Sequence, residues 1–229
     1  MPNGNILFGY GGQPTGVREI TSRGETVFDY VSKSHQVFGS ERLANGNTLV
    51  AEQGPCQAVE VNPKGEIVHV TPLTTNIEGT HLQVRNVHKL ANGNILAAHE
   101  GEGAVREVDP QGKVVWEYTG VTNTGEAQRL ANGNTLIGGG NGHCVLEVTP
   151  KKEIVWKLEQ NDLPGITLAW VTRVERLPNG NTRFGNCHAG PENPQFIEVT
   201  KDKKVVWTFK DFKNFGNSMP VQAVLEAKK

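Results

Sequence analysis

The chain has 229 residues, which is enough to bury a sizeable core without a second domain. Its 24 acidic and 23 basic residues give a net charge of −1, and no run of Lys or Arg exceeds two residues, so the composition predicts no nucleic-acid partner. No apolar stretch approaches the roughly 20 residues that a transmembrane helix needs, and we predict no membrane span.

One short phrase, an Asn-Gly-Asn turn flanked by β runs, recurs five times along the chain. The turns begin at Asn3, Asn45, Asn92, Asn132 and Asn179. Successive turns are 42, 47, 40 and 47 residues apart, and an array with this period is typical of propeller blades that each contain four short strands. The repeat therefore predicts an all-β propeller.

In chain order, the predicted blades cover approximately 1–30, 36–71, 83–119, 124–159 and 170–209. The first repeat begins at its turn and has no innermost strand before it, whereas residues 221–225 resemble the innermost strands of the other repeats. We therefore expect residues 219–227 to complete the first blade, which gives a single closed domain over 1–229 with five four-stranded blades. The alternative is a chain truncated from a six-bladed parent.

Each predicted fourth strand carries a ring at one position, held in turn by Phe28, His69, Trp116, Trp156 and Trp207. Recurring large aromatic residues usually supply buried area, so we expect these rings to pack between blades or at the rim rather than to form a cofactor platform, and we expect His69 to be structural as well. The three cysteines are Cys56, Cys144 and Cys187. Their odd number favours free or buried thiols, with one disulfide as the alternative in an exported chain.

The connections between strands separate the two faces of the predicted propeller. The Asn-Gly-Asn and Pro-x-Gly turns are nearly constant and lie on one face. The connections that differ in length join the second strand of a blade to its third, or the fourth strand to the next blade, and they lie on the other face, which we call the variable face. Because loops that vary on a fixed scaffold commonly carry binding residues, we expect function at the variable face.

Most of the histidines map to the variable face, namely His35, His81, His99, His143 and His188. Three interpretations stay open: a chance accumulation of polar loop residues, a metal or general-base site, and hydrogen-bonding recognition of a polar ligand. Imidazole titrates near neutrality and binds divalent metals. The catalytic candidates are His35, His81, His99 and His188, and the metal candidates are His99, His143 and His188.

Two arginines, Arg85 and Arg173, lie in predicted innermost strands towards the variable face. Each can bind a carboxylate, sulfate or phosphate group in a bidentate fork. The alternative is a structural ion pair with an acidic neighbour such as Glu126, because buried charges need partners. The predicted ligand-binding set is Arg85, Arg173, Asn86, Glu52 and Glu126.

The repeat unit resembles a known family. Its consensus, Leu-x-Asn-Gly-Asn-Thr-Leu followed by Val-x-Glu-Val-x-Pro-x-Gly-x-Val-Val-Trp, matches residues 90–96 and 105–116 closely. It is similar to the repeats of bacterial PQQ-like and arylsulfotransferase-like β-propellers, and to short single-propeller members described as surface-layer-like, over essentially the whole chain. The resemblance implies a periplasmic or secreted protein, although no signal peptide precedes the first turn. The quinone enzymes of this group are longer and have eight blades, so we do not expect PQQ as a cofactor.

We predict that the protein is a monomer that binds a small polar or anionic ligand, or another protein, at the channel mouth on the variable face. A divalent metal is the one cofactor that the histidines leave open. The first alternative is a hydrolase, lyase or transferase with a His/Arg site at the same place. The second is a purely structural or interaction propeller.

Overall fold

The structure, a computed structural model, describes residues 3–217 of the chain. Within them the chain forms nineteen β-strands and one helical turn, α1 (Phe212–Phe215). The strands are grouped in five sheets, one for each repeat. The fold is therefore an all-β, five-bladed β-propeller, and the fold prediction is confirmed.

Each blade is built from strands that follow one another in the chain and pair with their neighbours. The described strands of the first blade are β1 (Ile6–Tyr10), β2 (Thr15–Ile20) and β3 (Thr26–Ser32). Those of the second are β4 (Gln36–Arg42), β5 (Thr48–Gln53), β6 (Gln57–Val61) and β7 (Ile67–Pro72). Those of the third are β8 (Val84–Lys89), β9 (Ile95–His99), β10 (Ala104–Val108) and β11 (Val114–Tyr118). Those of the fourth are β12 (Glu126–Arg129), β13 (Thr135–Gly138), β14 (Cys144–Val148) and β15 (Ile154–Glu159). Those of the fifth are β16 (Trp170–Arg176), β17 (Thr182–Cys187), β18 (Phe196–Val199) and β19 (Val205–Phe209). The segment 219–227, which we expected to complete the first blade, lies outside the described residues.

The described residues form two compact units, one with residues 3–97 and 106–117 and the other with residues 98–105 and 118–217. In the first unit, buried apolar clusters form around Leu49 and Val59. In the second, a cluster forms around Leu136 and Phe184. Middle strands such as β5 and β14 are buried along their whole length, because both of their faces are covered.

The Asn-Gly-Asn turn is bonded to the third strand of its own blade. In the second blade, Asn45 Oδ1 accepts a hydrogen bond from the backbone nitrogen of Asn47 at 3.0 Å. Gly46 adopts a φ of 88°, which glycine reaches without strain. The Asn47 amide donates to Glu60 on β6 at 2.6 Å. The same bond recurs in the other blades, from Asn5 to Glu19, Asn94 to Glu107, Asn134 to Glu147 and Asn181 to Glu198.

The third-strand glutamates also bind cations from the next blade of the same unit. The pairs are Arg42–Glu19, Lys89–Glu60 and Arg176–Glu147, with N–O distances of 2.5, 2.5 and 2.9 Å. Each glutamate thus connects a turn, a strand and a neighbouring blade. The constant turns of the repeat are explained by this structural role.

The fourth-strand rings pack against the same cations. The Arg42 guanidinium lies 4.6 Å from the ring centroid of Phe28, and that of Arg176 lies 5.5 Å from Trp156. The Trp156 indole also donates to the Lys201 carbonyl oxygen at 2.8 Å. At Phe28 and Trp156 the ring position therefore serves packing between neighbouring blades, as we expected.

All three cysteines are buried, and none of them forms a disulfide. Between residues 3 and 217, no helix is long and apolar enough to cross a membrane.

Candidate functional site

The variable face of the first unit carries an open pocket of about 830 Å³, which we call the Glu52 pocket. Three connections of the variable face meet there: 33–35 between β3 and β4, 54–56 between β5 and β6, and 73–83 between β7 and β8. A fourth, the β6–β7 turn, lines the pocket with Gly65. Its polar lining comprises Tyr30, Lys33, Ser34, His35, Glu52, Gln57, Thr80 and Gln83. This volume falls within the range of small-molecule sites.

Glu52 is the buried acid of this pocket, with 3% of the residue exposed. Side chains alternate along β5, and Glu52 points to the same side as Val50, which packs with Tyr30 in a cluster between the first two blades. One carboxylate oxygen accepts hydrogen bonds from the hydroxyls of Tyr30 at 2.9 Å and Ser32 at 2.5 Å, and the other accepts one from the Gln57 amide at 2.8 Å. Three donors therefore offset the cost of burying the carboxylate.

The hydrogen bond between Tyr30 and Glu52 also affects the pKa of Tyr30. Burial raises the pKa of the Tyr30 phenol, and its hydrogen bond to the Glu52 carboxylate raises it further. Both effects favour the neutral hydroxyl, which can donate to the carboxylate but cannot act as a base near neutral pH. Tyr30 therefore orients Glu52 in the pocket.

His35 and Gly54 form one side of the pocket mouth. Gly54 has a φ of 93°, and a Cβ atom at this position would lie 2.7 Å from His35 Nδ1. Only glycine therefore allows the backbone of the β5–β6 turn to approach the imidazole. Lys33 lies exposed on the same connection as His35 and brings a cation to the mouth.

Two glutamines hold the other side of the pocket in place. The Gln83 side chain accepts from the backbone nitrogen of Gly54 at 2.7 Å, and the Gln83 backbone nitrogen donates to Gln53 Oε1 at 3.1 Å. The Gln53 amide in turn donates to the Val84 carbonyl oxygen at 2.9 Å. These bonds connect the β7–β8 loop to the end of β5.

Arg85 and His81 meet on a shared aromatic ring in the first unit. The Arg85 guanidinium lies 4.0 Å from the centroid of the Phe38 ring, and the His81 ring meets the same ring edge-on at 5.4 Å. Asn86 is 8% exposed, and its Oδ1 accepts from the backbone nitrogen of Val87 at 2.9 Å. Arg85 thus takes part in a cation–π contact between innermost strands β4 and β8.

Arg173 forms an ion pair with Glu126 at 3.0 Å in the second unit. The Glu126 side chain is 2% exposed, whereas that of Arg173 is 37% exposed. The second carboxylate oxygen of Glu126 accepts from the backbone nitrogen of Ala127 at 3.1 Å. Of the two alternatives for Arg173, the structure contains the contact of the structural pair; the ligand-binding role of both residues stays a prediction.

The remaining candidate histidines make separate local contacts in the second unit. His99 is fully buried, with Nδ1 at 3.6 Å from Glu102 Oε2. His143 Nδ1 lies 2.6 Å from the Ala169 carbonyl oxygen, and His188 Nδ1 lies 3.2 Å from the sulfur of Cys187. Among the described residues, no group of three or more His, Cys, Asp or Glu side chains could hold a metal ion.

The pocket thus brings together two residues that the sequence predicted, Glu52 and His35, with several that it did not, Tyr30, Ser32, Lys33 and Gln57. A signal for Glu52 was present in the repeat. By position after the Asn-Gly-Asn turn, Glu52 corresponds to His99, Gly139 and Asn186. A buried position that carries an acid in one blade and an imidazole, a glycine or an amide in the others indicates a local role.

Comparison with known proteins identifies the fold and a relative at 30% sequence identity. No protein-family model and no curated protein sequence matches the chain. A crystal structure of a protein of unknown function from Bacteroides caccae is similar over 93% of this chain and 80% of that protein, with 30% sequence identity and a TM-score of 0.83.

Two further structures are similar at low identity. The WD40 propeller domain of Doa1 is 15% identical, with a TM-score of 0.62 over 80% of this chain and 57% of its own. A streptogramin B lyase is 11% identical, with a TM-score of 0.63 over 91% of this chain and 69% of its own. Both show the fold alone, and they support the propeller part of the predicted resemblance. At 30% identity over most of both sequences, this chain belongs to the same β-propeller family as the Bacteroides caccae protein.

Proposed function

We propose that the protein binds a small polar molecule in the Glu52 pocket. The observation that carries the proposal is a buried carboxylate, held by three hydrogen-bond donors, which lines an open pocket of ligand size. Burying a charge is costly and is found where the charge has a structural or binding role. Here the carboxylate lies at the variable face, where loops from two neighbouring blades meet.

The distribution of charge indicates how such a molecule would lie. Glu52 is buried, whereas Lys33 and His35 are exposed at the mouth. The inner end of the ligand therefore carries hydroxyl or amine groups that donate to Glu52. Its outer end is neutral or negatively charged, because it faces Lys33. A small hydroxylated acid or a sugar acid has this arrangement of groups.

The proposal is tested with a library of small polar molecules, screened by ligand-observed NMR against the wild-type protein and two variants. Glu52→Gln keeps the shape of the side chain but removes its charge. Glu153→Gln is the matched control, because Glu153 is exposed in the corresponding turn of the fourth blade, between β14 and β15, and does not line the pocket. We expect hits that bind the wild type and the control alike and bind Glu52→Gln at least about tenfold more weakly.

A second pair of variants keeps the proposal testable if Glu52→Gln fails to fold. Lys33→Ala and His35→Ala change exposed residues, so we expect stability to stay within about 0.5 kcal/mol of the wild type. Acidic hits should lose affinity in Lys33→Ala. If every hit bound all four variants as tightly as the wild type, the ligand site would not be the Glu52 pocket.

The enzyme alternative, with His35, His81, His99 or His188 and the arginines Arg85 and Arg173, stays a prediction. Three similar structures are described as lyases, one of a streptogramin B lyase at 11% identity and two of a virginiamycin B lyase from Staphylococcus aureus at 12%. A likeness of this kind carries the fold and not the reaction. The binding proposal has the stronger support, because Glu52 and His35 line one pocket, whereas His99 and His188 make separate local contacts.

A further inference from the structure

A second cavity lies on the other side of the second blade, against the constant turns. It has a volume of about 330 Å³, and we call it the His69 groove. The turn glycine Gly93 and Pro110 of the third repeat form one wall. The opposite wall is formed by side chains of the second blade, including Ala58, His69 and Thr71.

The groove is wide because the second blade carries small residues where the fourth carries large ones. The two blades have the same register: Ala58 faces Thr71 and Glu60 faces His69 in the second, and Val145 faces Leu158 and Glu147 faces Trp156 in the fourth. Three lining positions are therefore smaller in the second blade. The replacements are Ala58 for Val145, Thr71 for Leu158, and His69 for Trp156.

Other blades with the same register confirm that the second is the exception. Val17 faces Tyr30 in the first blade, and Phe196 faces Phe209 in the fifth, at the positions of Ala58 and Thr71. In each of these blades the pair includes at least one large ring. The Ala–Thr pair leaves space that the others fill.

The fourth blade shows what occupies this space elsewhere in the molecule. The Trp156 ring packs against an apolar cluster, lies 5.5 Å from the Arg176 guanidinium and donates to the Lys201 carbonyl oxygen. In the second blade the cation position is held by Lys89, which is fixed by Glu60 at 2.5 Å. The carbonyl position of Lys201 corresponds to Pro110 in the repeat. The cation and the backbone wall are retained, whereas the floor and the ring position carry smaller side chains.

We propose that the His69 groove binds a small planar aromatic molecule, which takes the place that a tryptophan side chain fills in the fourth blade. Leu49, Ala58, Val68 and Ile95 supply apolar contact for the ring. Lys89 supplies a cation beside its face, and His69 supplies a hydrogen-bonding group at its edge. The site lies on the face opposite the variable face, and it is independent of the Glu52 pocket.

Indole is the direct probe, because it is the ring that the fourth blade buries. We would titrate indole into the isotope-labelled protein and follow the backbone amide signals by NMR. We expect saturable shifts confined to the groove, at residues such as His69, Lys89 and Gly93. His69→Trp fills the groove with the side chain of the fourth blade, and we expect it to weaken indole binding by at least about tenfold.

Two further variants make the outcome decisive. The double variant Ala58→Val, Thr71→Leu narrows the floor to that of the fourth blade and should also weaken binding, without adding a ring. Glu52→Gln should leave indole binding unchanged, which separates this site from the proposed function. The proposal is overturned if indole causes no saturable shifts up to its solubility limit. It is also overturned if His69→Trp, folded as judged by its spectrum, binds indole as tightly as the wild type.

Discussion

Replacing Glu60 with Gln tests whether the constant turns are held together by charge. Burial by itself would raise the pKa of Glu60, but hydrogen bonds from Lys89, Asn47 and Asn45 outweigh it and lower the pKa from 4.5 to about 2. The ionised form of the Glu60 carboxyl group is therefore more stable in the folded state than in the unfolded chain. Glu60→Gln removes this preference while it preserves the size of the side chain and an acceptor oxygen for both asparagines.

The magnitude follows from the shift in pKa. A fall from 4.5 to about 2 corresponds to about 3 kcal/mol of folding free energy. Solvent screening at the Lys89 end reduces this to about 2 kcal/mol, because the Lys89 side chain is 31% exposed. Since the folded pKa is the lower one, the stabilisation is fully present above pH 4.5 and is lost as the pH falls towards 2.

Urea unfolding at several pH values measures this directly. At pH 7 we expect Glu60→Gln to unfold with a free energy about 2 kcal/mol lower than the wild type. At pH 3 the difference should be clearly smaller, because much of the wild-type stabilisation is then lost. Glu66→Gln controls for the loss of one exposed negative charge and should show no such trend. A difference between wild type and Glu60→Gln that stays constant from pH 7 to pH 3 would refute the reasoning.

Two further substitutions test other contacts. Arg173→Ala leaves the buried Glu126 carboxylate without the guanidinium. Because the Arg173 side chain is 37% exposed, solvent screening reduces the expected loss in unfolding free energy to about 2 kcal/mol, and most of this loss should be recovered in Arg173→Ala, Glu126→Gln. A loss under about 1 kcal/mol would contradict the pair. Gly54→Ala places a side chain on a residue with a φ of 93° and brings its Cβ to 2.7 Å from His35 Nδ1, so we expect a lower thermal midpoint. Adding His35→Ala removes the clash and should restore part of the loss. If it restores none, backbone strain alone is responsible.

The fold could be predicted because its determinants are local and repeated. An Asn-Gly-Asn sequence favours a tight turn whatever surrounds it, and five such turns at a blade-length period leave few alternatives. The bond from Asn47 to Glu60 explains why a glutamate recurs in the third strand of each repeat. This partner could also be found from the sequence, because the Asn and the Glu are 13 or 14 residues apart in four of the five repeats, and 17 apart in the fifth.

The candidate site was less predictable, because its contacts join parts of the chain that no repeat relates. Glu52 and His35 were predicted by their place on the variable face. Tyr30 and Ser32 were not, because they lie on the outermost strand of the preceding blade, and they reach Glu52 across the boundary between two blades. Such a contact depends on how neighbouring sheets are packed, and periodicity within one repeat carries no information about it.

The same comparison of repeats adds a second place to look for a ligand. Because the turns of one face are constant, we expected the ligand site on the variable face, and we expected His69 to be structural because it lies at a packing position. A packing position is informative, however, when the large side chain that fills it in other blades is replaced by a smaller one. With Ala58 and Thr71 as its neighbours in register, His69 borders a groove that the fourth blade fills with Trp156 and Leu158. In a protein built from repeats, a blade that departs from the others in three neighbouring positions marks a candidate site as clearly as a loop of unusual length.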